Sequence, residues 1–360
     1  MLLAVTKPGH GVLPTTSIAD QSMTKPAAER PSPWPHRLAV ALALVTFPLI
    51  WVGGLVTTYD AGMAVPDWPG TYGYNLLLYP WQSWLAAPWD LFIEHGHRLL
   101  GATAGLLAIS LVAATMLTDR RRWLIAGAWG ALLLVIVQGA LGGARVLLDQ
   151  RLVALIHGCV GPLFFAYVGA LIVLTSQSRS TAAQLPGGGG LLRAAGLTVA
   201  LAYAQLVLGA LVRHVPLTAT PQVFRAALLM HLLVAAALAV QIGLTAWQAW
   251  RLRNSGGFAL PGLLLPLLVV CQIGLGLATY VAKYSWPAWF SDYAFAASYV
   301  VQEKGLTQSL ITTAHVAGGS LILFTAVILA TRSAFQSGTD FLFCLGVRQT
   351  RMSVPMGRAA

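Results

Sequence analysis

From about residue 38 to residue 331 the chain alternates long apolar runs with short polar, Gly- or Pro-marked breaks. The runs lie near 38–58, 95–117, 123–146, 152–175, 192–212, 224–250, 258–282 and 306–331. Each is long enough for a helix across a bilayer core, which takes roughly 20 apolar residues. Eight of them exceed what a signal peptide explains. The predicted fold is an all-α polytopic membrane protein with eight transmembrane helices. The polar positions inside the runs repeat. Gln138-x3-Gly142, Gln205-x3-Gly209 and Gln272-x3-Gly276 recur 67 residues apart, in the third, fifth and seventh runs. Each even run carries a histidine near one end: His97, His157, His231 and His315. Four residues on comes a small residue: Gly101, Gly161, Ala235 and Gly319. A duplication explains this most economically, giving two pseudo-symmetric four-helix bundles related by an axis along the membrane normal.

Composition agrees. The chain is 57% hydrophobic and 9% charged, against about 25% charged in soluble domains. The net charge of +11 does not point to nucleic acid, because Lys and Arg gather in cytoplasmic loops. Fifteen of the 22 basic residues fall in the two ends of the chain and the loops after the second, fourth and sixth runs. The 60–90 loop holds no basic residue but has Asp60, Asp67 and Asp90. This predicts a multi-pass protein of a bacterial plasma membrane, with both termini cytoplasmic and the histidines near the outer face. The predicted organisation is a mobile cytoplasmic arm at 1–37, a first bundle at 38–176, a Gly-rich cytoplasmic linker at 177–191, a second bundle at 192–331 and a cytoplasmic tail at 332–360. A transit peptide is the weaker reading of the arm, because Arg is scarce and Asp20 and Glu29 are present. Cys159, Cys271 and Cys344 avoid the outer loops, so no disulfide framework is expected.

Four histidines at one depth, two in each bundle, can flank two flat tetrapyrroles and give each iron one nitrogen per side. A lone membrane histidine is more often a hydrogen-bonding residue between helices. Four at equal depth, each with a small residue one turn away to leave room for a macrocycle, favour ligation. Zinc usually takes a third or fourth ligand, and only Glu94 stands near a pair. Arg98, Arg145, Arg213 and Arg225 lie near outer helix ends and are the candidates for pairing with haem propionates. The competing reading is that they snorkel to headgroups. Three residues before each histidine stand Glu94, Ala154, Leu228 and Thr312. Only the first half therefore has a carboxylate on a ligand's own helix face, which suits proton chemistry or charge stabilisation.

These residues resemble the haem A synthase family. The carriers are Glu94-x-x-His97-Arg98, the loop run Asp60-Ala61-Gly62-Met63-Ala64-Val65-Pro66-Asp67-Trp68-Pro69, Ile156-His157-Gly158, His231, and Ala314-His315-x-x-Gly318-Gly319. The resemblance covers the eight runs and not the arm or tail. It implies an oxidoreductase whose first half binds haem O as substrate between His97 and His157. There the C8 methyl group is oxidised to a formyl group, with Glu94 as catalytic carboxylate, giving haem A for terminal oxidases. It implies haem b as cofactor in the second half, on His231 and His315. It also implies the lipid bilayer, a haem O synthase, an electron-transfer partner and a second copy of the chain as partners. Many members carry cysteine pairs in outer loops, which this chain lacks. The alternatives are a di-haem b-type electron-transfer protein without haem chemistry, and a haem transporter. A transporter needs a path between the leaflets, whereas all four histidines share one side.

Overall fold

A computed structural model describes residues 32–176, 188–216, 218–254 and 257–336. Most of the arm, most of the Gly-rich linker and most of the tail, with Cys344, lie outside the described residues. The long helices are α1 (Trp34–Thr58), α3 (Trp89–Thr118), α4 (Arg122–Leu148), α5 (Arg151–Thr175), α6 (Gly188–Arg213), α7 (Pro221–Arg251), α8 (Ala259–Tyr284) and α10 (Leu306–Gln336). Two short ones, α2 (Trp81–Leu85) and α9 (Ala294–Ala297), lie in the connections before α3 and α10. The eight long helices are each long and apolar enough to cross a membrane. The chain is an all-helical, multi-pass membrane protein.

Several helices begin earlier or run longer than their apolar runs. α1 starts at Trp34, with Pro35 in its first turn, where the missing N–H would be unpaired anyway. Residues 34–37 are thus helix rather than arm. α3 starts at Trp89 behind Pro88, with Asp90 in its first turn, where a carboxylate suits the helix dipole. Glu94 and His95 therefore lie inside the helix. α6 reaches back to Gly188, and α10 runs on to Gln336, so the linker and tail are shorter than expected.

Helix neighbours define two rings. α1 packs on α3 and α5, and α4 on α3 and α5; α6 packs on α7 and α10, and α8 on α7 and α10. This pairing is consistent with duplication. The rings join along α10, which also meets α5 and α1. Phe165 of α5 stacks on Phe324 of α10 at that seam, centroids 4.3 Å apart. Gly169 makes room, since a Cβ there would stand 2.9 Å from the Phe324 ring. The first core gathers Leu42, Ala104, Ala108, Leu111 and Val168, and the second Leu238, Ile242, Leu265, Leu323 and Leu329. The outward faces expose Leu106, Ile109, Leu133, Val240, Val270 and Leu277. Small residues such as Ala104 and Ala108 sit among the leucines of the first core, where they let helices approach closely.

Candidate functional site

All four histidines lie at one end of the rings, near the start of α3, α5, α7 and α10. The structure pairs them as their spacing predicts. His97 and His157 have ring centroids 6.4 Å apart with planes at 82°. His231 and His315 are 6.3 Å apart at 73°. Two imidazoles each about 2 Å from one metal through nitrogen place their centroids roughly 6 Å apart. Each histidine is half-buried as a residue, yet ring Nδ1 of His97, His157 and His315 is buried. Among the described residues no group of three or more His, Cys, Asp or Glu gathers. Each pair thus offers one metal two imidazole nitrogens, the axial donor set that a haem iron takes.

A glycine on the helix before it seats each ring. A Cβ at Gly53 would lie 2.7 Å from Cε1 of His97. At Gly142 it would lie 3.3 Å from His157, at Gly209 3.1 Å from His231, and at Gly276 3.0 Å from His315. The Gln-x3-Gly repeat thereby acquires a role that sequence reading did not give it. The glycine admits the imidazole, and the glutamine reaches the histidine-bearing helix. Gln138 Nε2 donates to the His157 carbonyl at 3.2 Å, and Gln272 Nε2 to the His315 carbonyl at 2.7 Å. Gln205 Nε2 lies 3.0 Å from His231 Nδ1.

The small residues one turn beyond the histidines differ from expectation. Gly101 does open on space. Gly161, however, faces the Gln138 amide, and Gly319 faces Leu206 and the Gln272 amide. In α5 and α10 the missing side chain makes room for a glutamine rather than for a macrocycle.

The 59–88 connection folds onto the first pair's end of the bundle. Arg98 holds it. Its terminal nitrogens donate to the carbonyls of Asp67 (2.6 Å), Gly70 (2.7 Å) and Val65 (2.8 Å), and to Glu94 Oε1 (2.8 Å). Glu94 is buried, 3% exposed, so it is not a solvated helix-end residue. Its other oxygen accepts the Val65 N–H at 3.1 Å. His95 faces the same loop: Nδ1 meets Thr71 Oγ1 at 2.9 Å, and the ring packs on Tyr79 and Trp84. Asp67 accepts the Tyr72 and Gly73 N–H groups at 2.8 and 2.9 Å. Burial pulls its carboxyl up, but those N–H groups, with Arg98 nearby, outweigh it and hold the carboxyl below its ordinary range. Trp68 lies over Gly143 of α4, and the Arg145 guanidinium over Gly62; a Cβ at either glycine would overlap its neighbour.

The four arginines separate in the structure. Arg98 is engaged with the loop and keeps only Nε–H for another partner. Arg145 is half-buried against the loop. Arg213 crosses between the rings and donates to the Gly54 carbonyl at 3.0 Å and Thr58 Oγ1 at 2.7 Å on α1. Arg225 is exposed near the start of α7. Burial, then the cations Arg213, Arg145, Arg151 and Lys283, push His214 down to about 4.

The family model described as Cytochrome oxidase assembly protein (COX15-CtaA) matches residues 36–223. A protein of Symbiobacterium thermophilum named Heme A synthase is 30% identical over 183 residues, 48% of this chain and 56% of that protein. One of Bradyrhizobium sp. with the same name is 31% identical over 141 residues, 37% of this chain and 39% of its own. One of Listeria monocytogenes, also so named, is 30% identical over 145 residues, covering 39% and 44%. The chain thus spans 39–56% of the length of these relatives.

Proposed function

The chain belongs to the cytochrome oxidase assembly protein family, and on that premise we propose that it is a haem A synthase. Haem O is the substrate, bound between His97 and His157, and its C8 methyl group is oxidised to a formyl group. Haem b in the second half, ligated by His231 and His315, supplies one-electron transfer. The observation that carries this reading is the asymmetry at matched pairs. The two histidine pairs agree within 0.1 Å in centroid separation, yet only His97 has a buried carboxylate three residues before it.

Converting a methyl to a formyl group takes up one oxygen, in balance from water, and releases four protons and four electrons. The electrons pass to the electron acceptor, and positive charge develops at that carbon as they leave. Glu94 can stabilise that charge or accept a proton, a contribution typically worth ~10²–10⁴ in rate. It does so while also fixing the loop through Val65 and Arg98. The guanidinium groups of Arg145 and Arg213 suit the anionic propionates, and Arg225 is an exposed donor in the second half. With the histidine end outside, both termini are cytoplasmic. Haem O synthase, an electron acceptor and a second copy of the chain are the partners this reading calls for.

The matched geometry of the pairs favours one competitor, a di-haem electron carrier with no chemistry on its haems. Variants separate the two. His97→Ala should abolish haem A formation while the second half keeps its low-spin bis-imidazole spectrum. His231→Ala or His315→Ala should remove that spectrum, because an iron ligand is lost. Both spectra intact in all three variants would refute the ligand assignment. Two unmodified haems in a wild-type protein supplied with haem O would favour the carrier.

A further inference from the structure

The four ring seats share a backbone design and differ in one side chain. One turn before the glycines Gly53, Gly142, Gly209 and Gly276 stand Leu49, Gln138, Gln205 and Gln272. In three seats a glutamine side chain ties to the histidine ring or to its carbonyl. Gln138 and Gln272 bond the carbonyl of the ligand histidine itself. Gln205 lies along the ring edge, 3.0 Å from Nδ1 and 3.2 Å from Nε2 of His231. A half-turn of that amide presents its oxygen to Nδ1–H and leaves Nε2 for a metal.

Buried polar atoms without partners mark the same seams. They include Oε1 of Gln138, Gln205 and Gln272, and Nδ1 of His97, His157 and His315. At His157 and His315 the orphan donor therefore shares its seam with an orphan acceptor on the glutamine. At His97 it does not. Leu49 is apolar and packs on the first core.

We propose that Gln138, Gln205 and Gln272 are positioning residues for three of the four haem-ligating histidines, and that Leu49 leaves His97 as the ligand that releases. This rests on the haem reading given above and deepens it. Partners behind a ligating histidine fix its ring and raise its basicity, and losing one typically lowers metal affinity about 10–100-fold. The second half has two tied ligands and holds its haem. The first half has one tied ligand, His157, and one untied, His97. Release breaks one iron–nitrogen bond, the electron pair stays on the His97 nitrogen, and no redox change is needed. A substrate haem has to enter and its product has to leave, whereas a resident haem does neither.

The test uses the full chain in detergent, loaded with ferric haem b as probe, and follows haem capture by excess apomyoglobin. Wild type should release haem in two phases. His97→Ala should remove the fast phase and His315→Ala the slow one, assigning each to its half. Gln272→Leu should then speed the slow phase about 10–100-fold and leave the fast phase alone. It should also shift the low-spin electron paramagnetic resonance signal of that haem, because the ring planes now crossed at 73° become free to turn. A merely structural loss would remove protein and signal together. Leu49→Gln should slow the fast phase; if that variant does not fold, the Gln272 arm decides. One shared release rate in wild type, or a slow phase and signal unmoved by Gln272→Leu, would overturn the proposal. Failure of wild type to take up any haem would instead overturn the haem reading beneath it.

Discussion

Arg98→Lys keeps a positive charge at the head of α3 and removes the planar fork. In the wild type that fork makes three bonds to loop carbonyls, at 2.6–2.8 Å, and one to Glu94. One ammonium nitrogen replaces two terminal nitrogens, so a group that stays where Nη2 meets Glu94 and the Val65 carbonyl gives up the Asp67 and Gly70 carbonyls. Hydrogen bonds to charged groups contribute about 1.5–3 kcal/mol each, so the loss is at least about 3 kcal/mol. At 1.4 kcal/mol per factor of ten, the loop should open on the order of 100-fold more often. Hydrogen–deuterium exchange reads this directly. The Val65 amide is bonded to Glu94 and the Thr71 amide to the Tyr74 carbonyl. Both should exchange about 100-fold faster, while amides in the middle of α3 and α4 keep their rates. Val65 and Thr71 exchanging within a few-fold of wild type would refute the clamp. A rise across the whole protein would make Arg98 a residue of the fold rather than of the loop.

Three further outcomes are expected. The Asp67 carboxyl is depressed, so its contribution is full above the ordinary range and is lost as pH falls through the lowered value. Protection of the Tyr72 and Gly73 amides should therefore persist to about pH 4 and fall below it, and Asp67→Asn should flatten that profile in exchange measured against pH. Gly276→Val puts a side chain where Cβ alone stands 3.0 Å from His315. It should cost about 1–3 kcal/mol and the low-spin spectrum of the second half, whereas Gly274→Ala on the same helix, with nothing within 4 Å of its Cβ, should cost neither. A reporter active only in the cytoplasm should work when fused after Arg122 or Arg253 and be silent in the 60–90 loop; the reverse pattern would invert the placement of the histidines.

The apolar runs made the eight helices legible, because lipid demands continuous hydrophobicity over a known length. Their ends were not, because polar first turns such as Trp89–Asp90 and the Pro35 start of α1 carry no apolar signal. The histidine pairs were legible from spacing, since duplication preserves register. Gly53 was missed because its repeat has lost the glutamine, leaving Leu49-x3-Gly53 unlike the other three. The Arg98 clamp was invisible for a different reason. Its acceptors are loop carbonyls, and a carbonyl has no residue identity to read. Glu94 was legible as a carboxylate on the face of His97. That it also binds the Val65 N–H depends on how a loop about thirty residues away in sequence folds back.

The most direct measurement extracts haem from the purified wild-type protein, made in cells that supply haem O, and separates it by mass. Haem A and haem b are expected in wild type. In Glu94→Gln a folded protein is expected with haem b and with haem O, or a hydroxylated form of it, in place of haem A. Wild-type amounts of haem A from the variant would remove Glu94 from the chemistry. A wild-type extract holding only unmodified haems would contradict the proposed synthase.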